Sequence, residues 1–263
     1  MSPALRRALP WAVLGLVLLG LVAAGPVHLP PHYHAFADQR AWAGIPQAAD
    51  VLSNLAFLLA GLWGVRVMWR SPERPSRAAW WLFAGGVVAV ALGSSWYHLA
   101  PDDARIVWDR IPIALACAGL SAAVLCERFE LLEIEANALT AVLATAATAS
   151  VLAIDWLGGD LRPYLVLQLV PLLVLPLLQW SHAAPRQERW ATSAAALLYL
   201  LAKLCELGDA AILAQLQLVS GHTLKHLFSA LACATLVAML ARRPERRATS
   251  RPLLHEVETQ ALP

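Results

Sequence analysis

His222 and His226 stand four residues apart where an apolar run, Ser220 to Leu240, begins. On a helix that spacing stacks both imidazoles on one face, about 6 Å apart along the axis, where they can share one metal ion. Three neutral imidazoles plus a water form the coordination of a catalytic zinc, with an open position at which water is acidified and a carbonyl polarised. His98 is the candidate third ligand. Ser94 precedes it by four residues and so shares its helix face. A serine hydroxyl beside a metal can donate to a developing oxyanion, and Tyr164 could do likewise, an assignment resting on depth alone. Asp109 is placed to take a proton from the water or to orient a histidine. The catalytic candidates are thus Ser94, Asp109 and Tyr164, and the metal candidates are His98, His222 and His226.

The elements that must bring these residues together are apolar. Of 263 residues, 59% are hydrophobic and 14% charged, too little polar surface to coat a soluble globule of this size. A formal net charge of +2, spread over short loops and the C-terminal tail, offers no basis for a nucleic-acid partner. A first apolar run, Leu9 to Val27, follows Arg6 and Arg7 and reads as an anchor or a signal segment. Residues 28 to 47 form an outer loop or a surface-lying piece. Seven further runs follow: Ala48 to Trp69, Ala79 to His98, Ile106 to Cys126, Ala136 to Ile154, Pro163 to Trp180, Trp190 to Leu207 and Ser220 to Leu240. Each approaches the roughly 20 residues that cross a bilayer as a helix. The expected fold is an all-α integral membrane protein: a seven-helix bundle over residues 48–241 with an additional N-terminal apolar helix at 1–27. A basic, disordered cytoplasmic tail completes the chain at 242–263.

Basic residues at Arg66, Arg70, Arg74, Arg77, Arg186, Arg189, Arg242 and Arg243 place the second and sixth connections and the tail on the cytoplasmic side. The connection Glu127 to Glu135 is acidic yet falls on that side too. With this threading, Ser94 and His98 end the third span outward, Asp109 opens the fourth, Tyr164 the sixth, and His222 and His226 the eighth. All reach one depth near the outer face. Intramembrane ionisable groups are costly unless used, which favours a functional centre over helix-packing histidines.

Other polar residues read more simply. Cys117, Cys126, Cys205 and Cys233 lie in apolar runs without a CxxC pair and read as packing residues. Ser95 reads the same way. Lys203 and Glu206 most simply neutralise each other. Asp50, Ser53 and Asn54 serve either interhelical hydrogen bonding or support of the centre. Asp209, His32, His34, His182 and His255 read as loop or tail residues.

Taken together, Ser94-x-x-x-His98, Asp109, His222-x-x-x-His226 and Ser53-Asn54 resemble the alkaline ceramidases. These are seven-helix members of a membrane hydrolase superfamily that also contains adiponectin-receptor-like and haemolysin III proteins. The resemblance runs from about Asp38 to Leu240. It implies a Zn2+-dependent amidase that splits ceramide, a lipid substrate drawn from the bilayer, into a sphingoid base and a fatty acid. Eukaryotic members carry a calcium site built from acidic residues; the matching segment here offers Asp38, Gln47 and Asp50 without that cluster, which puts calcium in doubt. Alternatives are a receptor-like protein with a mainly structural zinc, a haem-binding electron carrier, and a hydrolase of another lipid amide or ester. Composition and short loops suggest a bacterial inner membrane, while oligomeric state and acyl preference are not written in the sequence.

Overall fold

The structure, a computed structural model, describes residues 2–71 and 74–243. The expected tail therefore lies outside the described residues beyond Arg243, as does His255. The elements in order are α1 (Pro3–Ala24), α2 (Ala48–Ser53), α3 (Leu55–Arg70), α4 (Arg77–Leu99), α5 (Asp103–Arg128) and α6 (Glu133–Leu152). They are followed by α7 (Arg162–Leu169), a five-residue π-helical turn (Val170–Val174), α8 (Leu175–Ser181), α9 (Arg186–Leu207), α10 (Asp209–Leu216) and α11 (Gly221–Ala241). With α2–α3 and α7–α8 each taken as one rod, eight helices among the described residues are long and apolar enough to cross a membrane. No strand is present among them. This is the architecture of a multi-pass membrane protein.

Several helices begin earlier than apolar runs alone indicate, and capping side chains set two of those ends. Ser2 caps α1 by accepting from the Leu5 amide, and Asp102 caps α5 by accepting from the Arg105 amide at 2.7 Å. Prolines shape the rods from within. Pro171 and Pro176 interrupt the ladder of the α7–α8 rod, and the wide turn between them absorbs the missing N–H groups.

Small residues set how close the rods come. Pro112, inside α5, cannot donate to the carbonyl of Trp108 one turn earlier. That carbonyl faces Gly93 of α4 so closely that a Cβ there would overlap the oxygen. Gly93 and Pro112 thus make one close crossing, and Ser94 and Asp109 are the next residues on its two sides. A second crossing is made by Gly221, where a Cβ would overlap the Cys205 carbonyl oxygen. It lets the first turn of α11 press into the corner between α9 and α10.

The main core is packed among α3, α4, α5, α9 and α11, with Trp80, Phe83, Val87, Val124 and Val237 nearly inaccessible. At the end remote from the histidines, a buried ionic cluster ties four of these rods. Glu127 accepts both guanidinium nitrogens of Arg243 at 2.7 and 2.8 Å, together with the Trp80 indole and the Ser76 hydroxyl. Glu188 bridges Arg243 and Arg128, each at 3.1 Å. The acidic Glu127, exceptional on charge-distribution grounds, is accounted for by Arg243. In contrast, α1 leaves nearly all its surface outside the bundle and touches it along α7–α8, with Trp11 stacked at 6.1 Å from Phe129.

Candidate metal centre

The three candidate ligands meet. The rings of His98, His222 and His226 form a nearly equilateral triangle, with centroids 4.8, 5.1 and 4.8 Å apart. Their ligating nitrogens all lie within 4.8 Å of one another, and all three side chains are buried.

Hydrogen bonds fix which nitrogen is free in two of the rings. His98 donates from Nδ1 to Gln47 Oε1 at 3.3 Å. His226 donates from Nδ1 to Ser53 Oγ at 2.8 Å and lies 3.2 Å from the Asp50 carbonyl, to which Ser53 itself donates. In both rings the proton is held outward and the Nε2 lone pair turns inward. His98 Nε2 stands 3.2 Å from His222 Nε2. Two lone pairs facing at that distance repel unless a proton or cation lies between them. Ligand nitrogens about 2.0–2.1 Å from a tetrahedral zinc stand roughly 3.3 Å apart, so this pair already spans one edge of such a site. The ligating nitrogen of the third imidazole lies within 4.8 Å of both. The donor set, neutral nitrogen with outward protons anchored, fits a divalent transition ion.

Two carboxylates, buried Asp50 and half-buried Asp209, pin the first turn of α11, which carries His222. Asp50 accepts from Thr223 Oγ1 at 2.6 Å at the first turn of α11, where a negative charge also suits the helix dipole. Ser220 caps that helix, accepting from the Thr223 amide at 3.0 Å. Asp209 accepts the His222 amide at 2.7 Å through one oxygen and the Ala37 amide at 3.0 Å through the other. It therefore ties the segment at 28–47 to α11 and is more than a loop residue. Asp50 and Ser53 do support the centre, while Asn54 donates to the Asp50 carbonyl across the break between α2 and α3. Ser95 donates to the Val51 carbonyl, a helix-packing bond as expected.

The segment at 28–47 covers the centre. Phe36, buried, stacks 4.6 Å from His98 and 4.3 Å from His222. His34 is bonded to Tyr97 Oη at 2.8 Å and to Asp103 at 3.1 Å, so it is an anchor of this cover. Arg40 chelates both oxygens of Asp38 and donates to the carbonyls of Gln217 and Leu218 at 3.0 and 2.8 Å. The residues weighed for calcium do not converge: Asp38 is taken by Arg40, Gln47 by His98 and Asp50 by Thr223. Gln47 has φ +46°, a left-handed conformation that is strained for a residue with a side chain. That backbone turns its amide onto His98.

Beside His226 lies a cavity of about 630 Å³, within the range of small-molecule and cofactor sites. Phe83, Val87, Ile113, Leu120, Leu172 and Leu236 line its apolar body. Its polar end carries His226, Ser94, Asp109, Lys225 and Glu206. Ser94 stands close enough to the Asp109 carboxylate to act on it electrostatically. Tyr164 belongs to the same wall but stacks toward Arg110, 5.7 Å from its guanidinium, and is not bonded to the imidazoles.

Lys203 and Glu206 pair at 2.9 Å, and Glu206 also holds Lys225 at 2.7 Å. Lys225 Nζ in turn donates to His222 Nε2 at 3.2 Å. Position alone could have drawn attention to Lys225, which sits within His222-x-x-Lys225-His226. Phe36 and Gln47 leave no such signal, because only the return of a loop brings them to the rings. His32 and His182 join neither the centre nor its supports; His182 bonds its neighbour Ser181 and packs against Phe129.

Comparison of the chain with protein-family models, curated proteins and solved structures finds no match.

Proposed function

We propose that this protein is a membrane-embedded, zinc-dependent hydrolase of lipid amides, with ceramide as the substrate that the resemblance favours. The observation carrying this reading is the convergence of three imidazoles beside an apolar cavity whose wall is formed by one of them, His226, together with Asp109. Arginine distribution supports a topology of seven helices plus α1, with the centre near the outer face and the C-terminus in the cytoplasm. A bacterial inner membrane suits that arrangement.

His98, His222 and His226 would hold the ion. When bound, it supplies Lewis acidity, lowering the pKa of water and polarising a carbonyl. Asp109 accepts the proton as a water oxygen bonds to the acyl carbon, then returns it to the amine nitrogen as the C–N bond breaks. Ser94 positions the Asp109 carboxylate and offers a hydroxyl toward the carbonyl oxygen as negative charge grows there. The products are a fatty acid and an amine. Lys225, fixed by Glu206, adds a positive group beside the reacting carbonyl. Tyr164 shapes the wall and keeps the acyl chain against apolar helices.

The test combines metal analysis of the purified protein with fatty-acid release from a panel of ceramides, other lipid amides and lipid esters. We expect bound zinc in the wild type and its loss, with all turnover, in His98→Ala. Asp109→Asn should keep zinc while turnover falls about 10²–10⁴-fold, the usual contribution of a positioned proton acceptor. Zinc-dependent turnover surviving in His98→Ala would refute the assignment. Zinc without hydrolysis of any lipid amide or ester would favour a receptor-like role with a structural ion.

A further inference from the structure

Arg110 is the cation of the cavity for which the protein supplies no counter-charge in contact. The residue is 5% exposed, and it lines the cavity. Among the described residues no hydrogen bond or salt bridge reaches its guanidinium. Its neighbours are two ring faces, Tyr33 at 5.8 Å and Tyr164 at 5.7 Å, which steady a cation but accept no N–H bond. The two lysines nearby are already satisfied by Glu206. Asp109, the neighbour of Arg110 in sequence, is coupled to it electrostatically but forms no salt bridge with it, since adjacent helical side chains do not face each other. A desolvated guanidinium with five donors and no acceptor is costly inside a membrane, and the cost is relieved when an oxyanion takes the fork bidentately.

We infer that Arg110 is the anion-binding residue of the lipid cavity: it holds a carboxylate or phosphate oxyanion carried by the lipid, with Tyr33 and Tyr164 clasping the guanidinium. A fatty acid, the product that hydrolysis of a lipid amide leaves, carries such a carboxylate, and an acidic lipid head group carries a phosphate or carboxylate of the same chemistry. This rests on the cavity being a lipid site, as in the hydrolase reading, but not on hydrolysis.

Binding without turnover tests it. Purified full-length protein, as isolated and after removal of metal by a chelator, is titrated with palmitate, hexadecyl phosphate and hexadecanol, which share one chain and differ in head group. Charge-assisted hydrogen bonds predict that at least one anionic ligand binds the metal-free wild type about tenfold or more tighter than the alcohol. Arg110→Met should erase that preference, Arg110→Lys should keep part of it, and Arg105→Met, stacked on Trp96 outside the cavity, should leave it whole. Tighter binding of hexadecyl phosphate assigns a phosphate head group; equal or tighter binding of palmitate assigns a carboxylate. Equal affinity of the wild type for the alcohol and both anions overturns the inference even if no variant folds, and so does a preference that survives in Arg110→Met. Because metal-free protein is used, a failed hydrolase assignment leaves this result standing, and the reverse.

Discussion

At the scale of single residues, the centre depends on what holds each imidazole from behind. Gln47 is informative because its two contributions oppose each other: the side chain orients His98, while the left-handed backbone strains the loop. Gln47→Gly relieves the strain and deletes the acceptor. We expect zinc affinity, measured by competition with a chromogenic chelator, to fall about 10–100-fold, the range typical for loss of a ligand's outer hydrogen bond. The melting temperature of the metal-free protein should not fall. A drop in both would mean that Gln47 acts through folding and not through His98. Asp209 illustrates a different limit of residue-by-residue reading. A carboxylate at a helix boundary looks like a solvated loop group until the chain returns twice, at Ala37 and at His222, to use both of its oxygens.

At the scale of helices, depth along the membrane is set by periodicity, whereas lateral approach is set by glycine. The crossing of α4 and α5 at Gly93 is the most constrained, since the atom a Cβ would strike is a backbone oxygen that cannot rotate away. Gly93→Ala should therefore destabilise the protein by about 1–3 kcal/mol or more, as overpacking does. It should also lower turnover by separating Ser94 from Asp109. Gly85, in the same helix, faces open space, with no atom within 4 Å of where a Cβ would stand, so Gly85→Ala should leave the melting temperature unchanged or raise it. Equal effects of the two substitutions would show that helix propensity, not the crossing, governs α4. The π-helical turn before α8 follows the same logic: proline placement is visible in the chain, but the wide turn that accommodates it forms only against neighbouring helices.

At the scale of the whole molecule, two polar clusters lie at opposite ends of the bundle. The Glu127–Arg243–Glu188 cluster fastens one end, and the centre with its cover occupies the other. The cover is fastened outside the membrane by Asp38 and Arg40. The guanidinium of Arg40 holds the Asp38 carboxyl below its ordinary range. Because this pKa is lowered on folding, the stabilising contribution is present at neutral pH and is lost as pH falls through the lowered value, below the usual value of about 3.9. Acidification into that range should therefore increase hydrogen exchange or proteolysis at residues 36–47, and Arg40→Met should show the same opening already at neutral pH. Unchanged exchange in Arg40→Met would place the anchoring of the cover on Asp209 and His34.

Much of this arrangement is legible in the chain itself. Apolar runs near the length of a bilayer crossing dictate rods of fixed span, and a fixed span turns sequence position into depth. That is why His98, Asp109, His222 and His226 can be placed at one level from the chain alone, and why the Lys203–Glu206 pair at helical spacing is recognisable. Depth, however, says nothing about rotation around each rod or about where a polar loop returns. Tertiary structure decided that the three imidazoles share one triangle, that Lys225 joins Glu206 beside it, and that Phe36 and Gln47 descend onto the rings. It also decided that Tyr164 turns toward Arg110, leaving that guanidinium to face the cavity. These are contacts between segments far apart in the chain, chosen by close packing at Gly93 and Gly221 and by the need to satisfy buried polar groups, and no local periodicity encodes them.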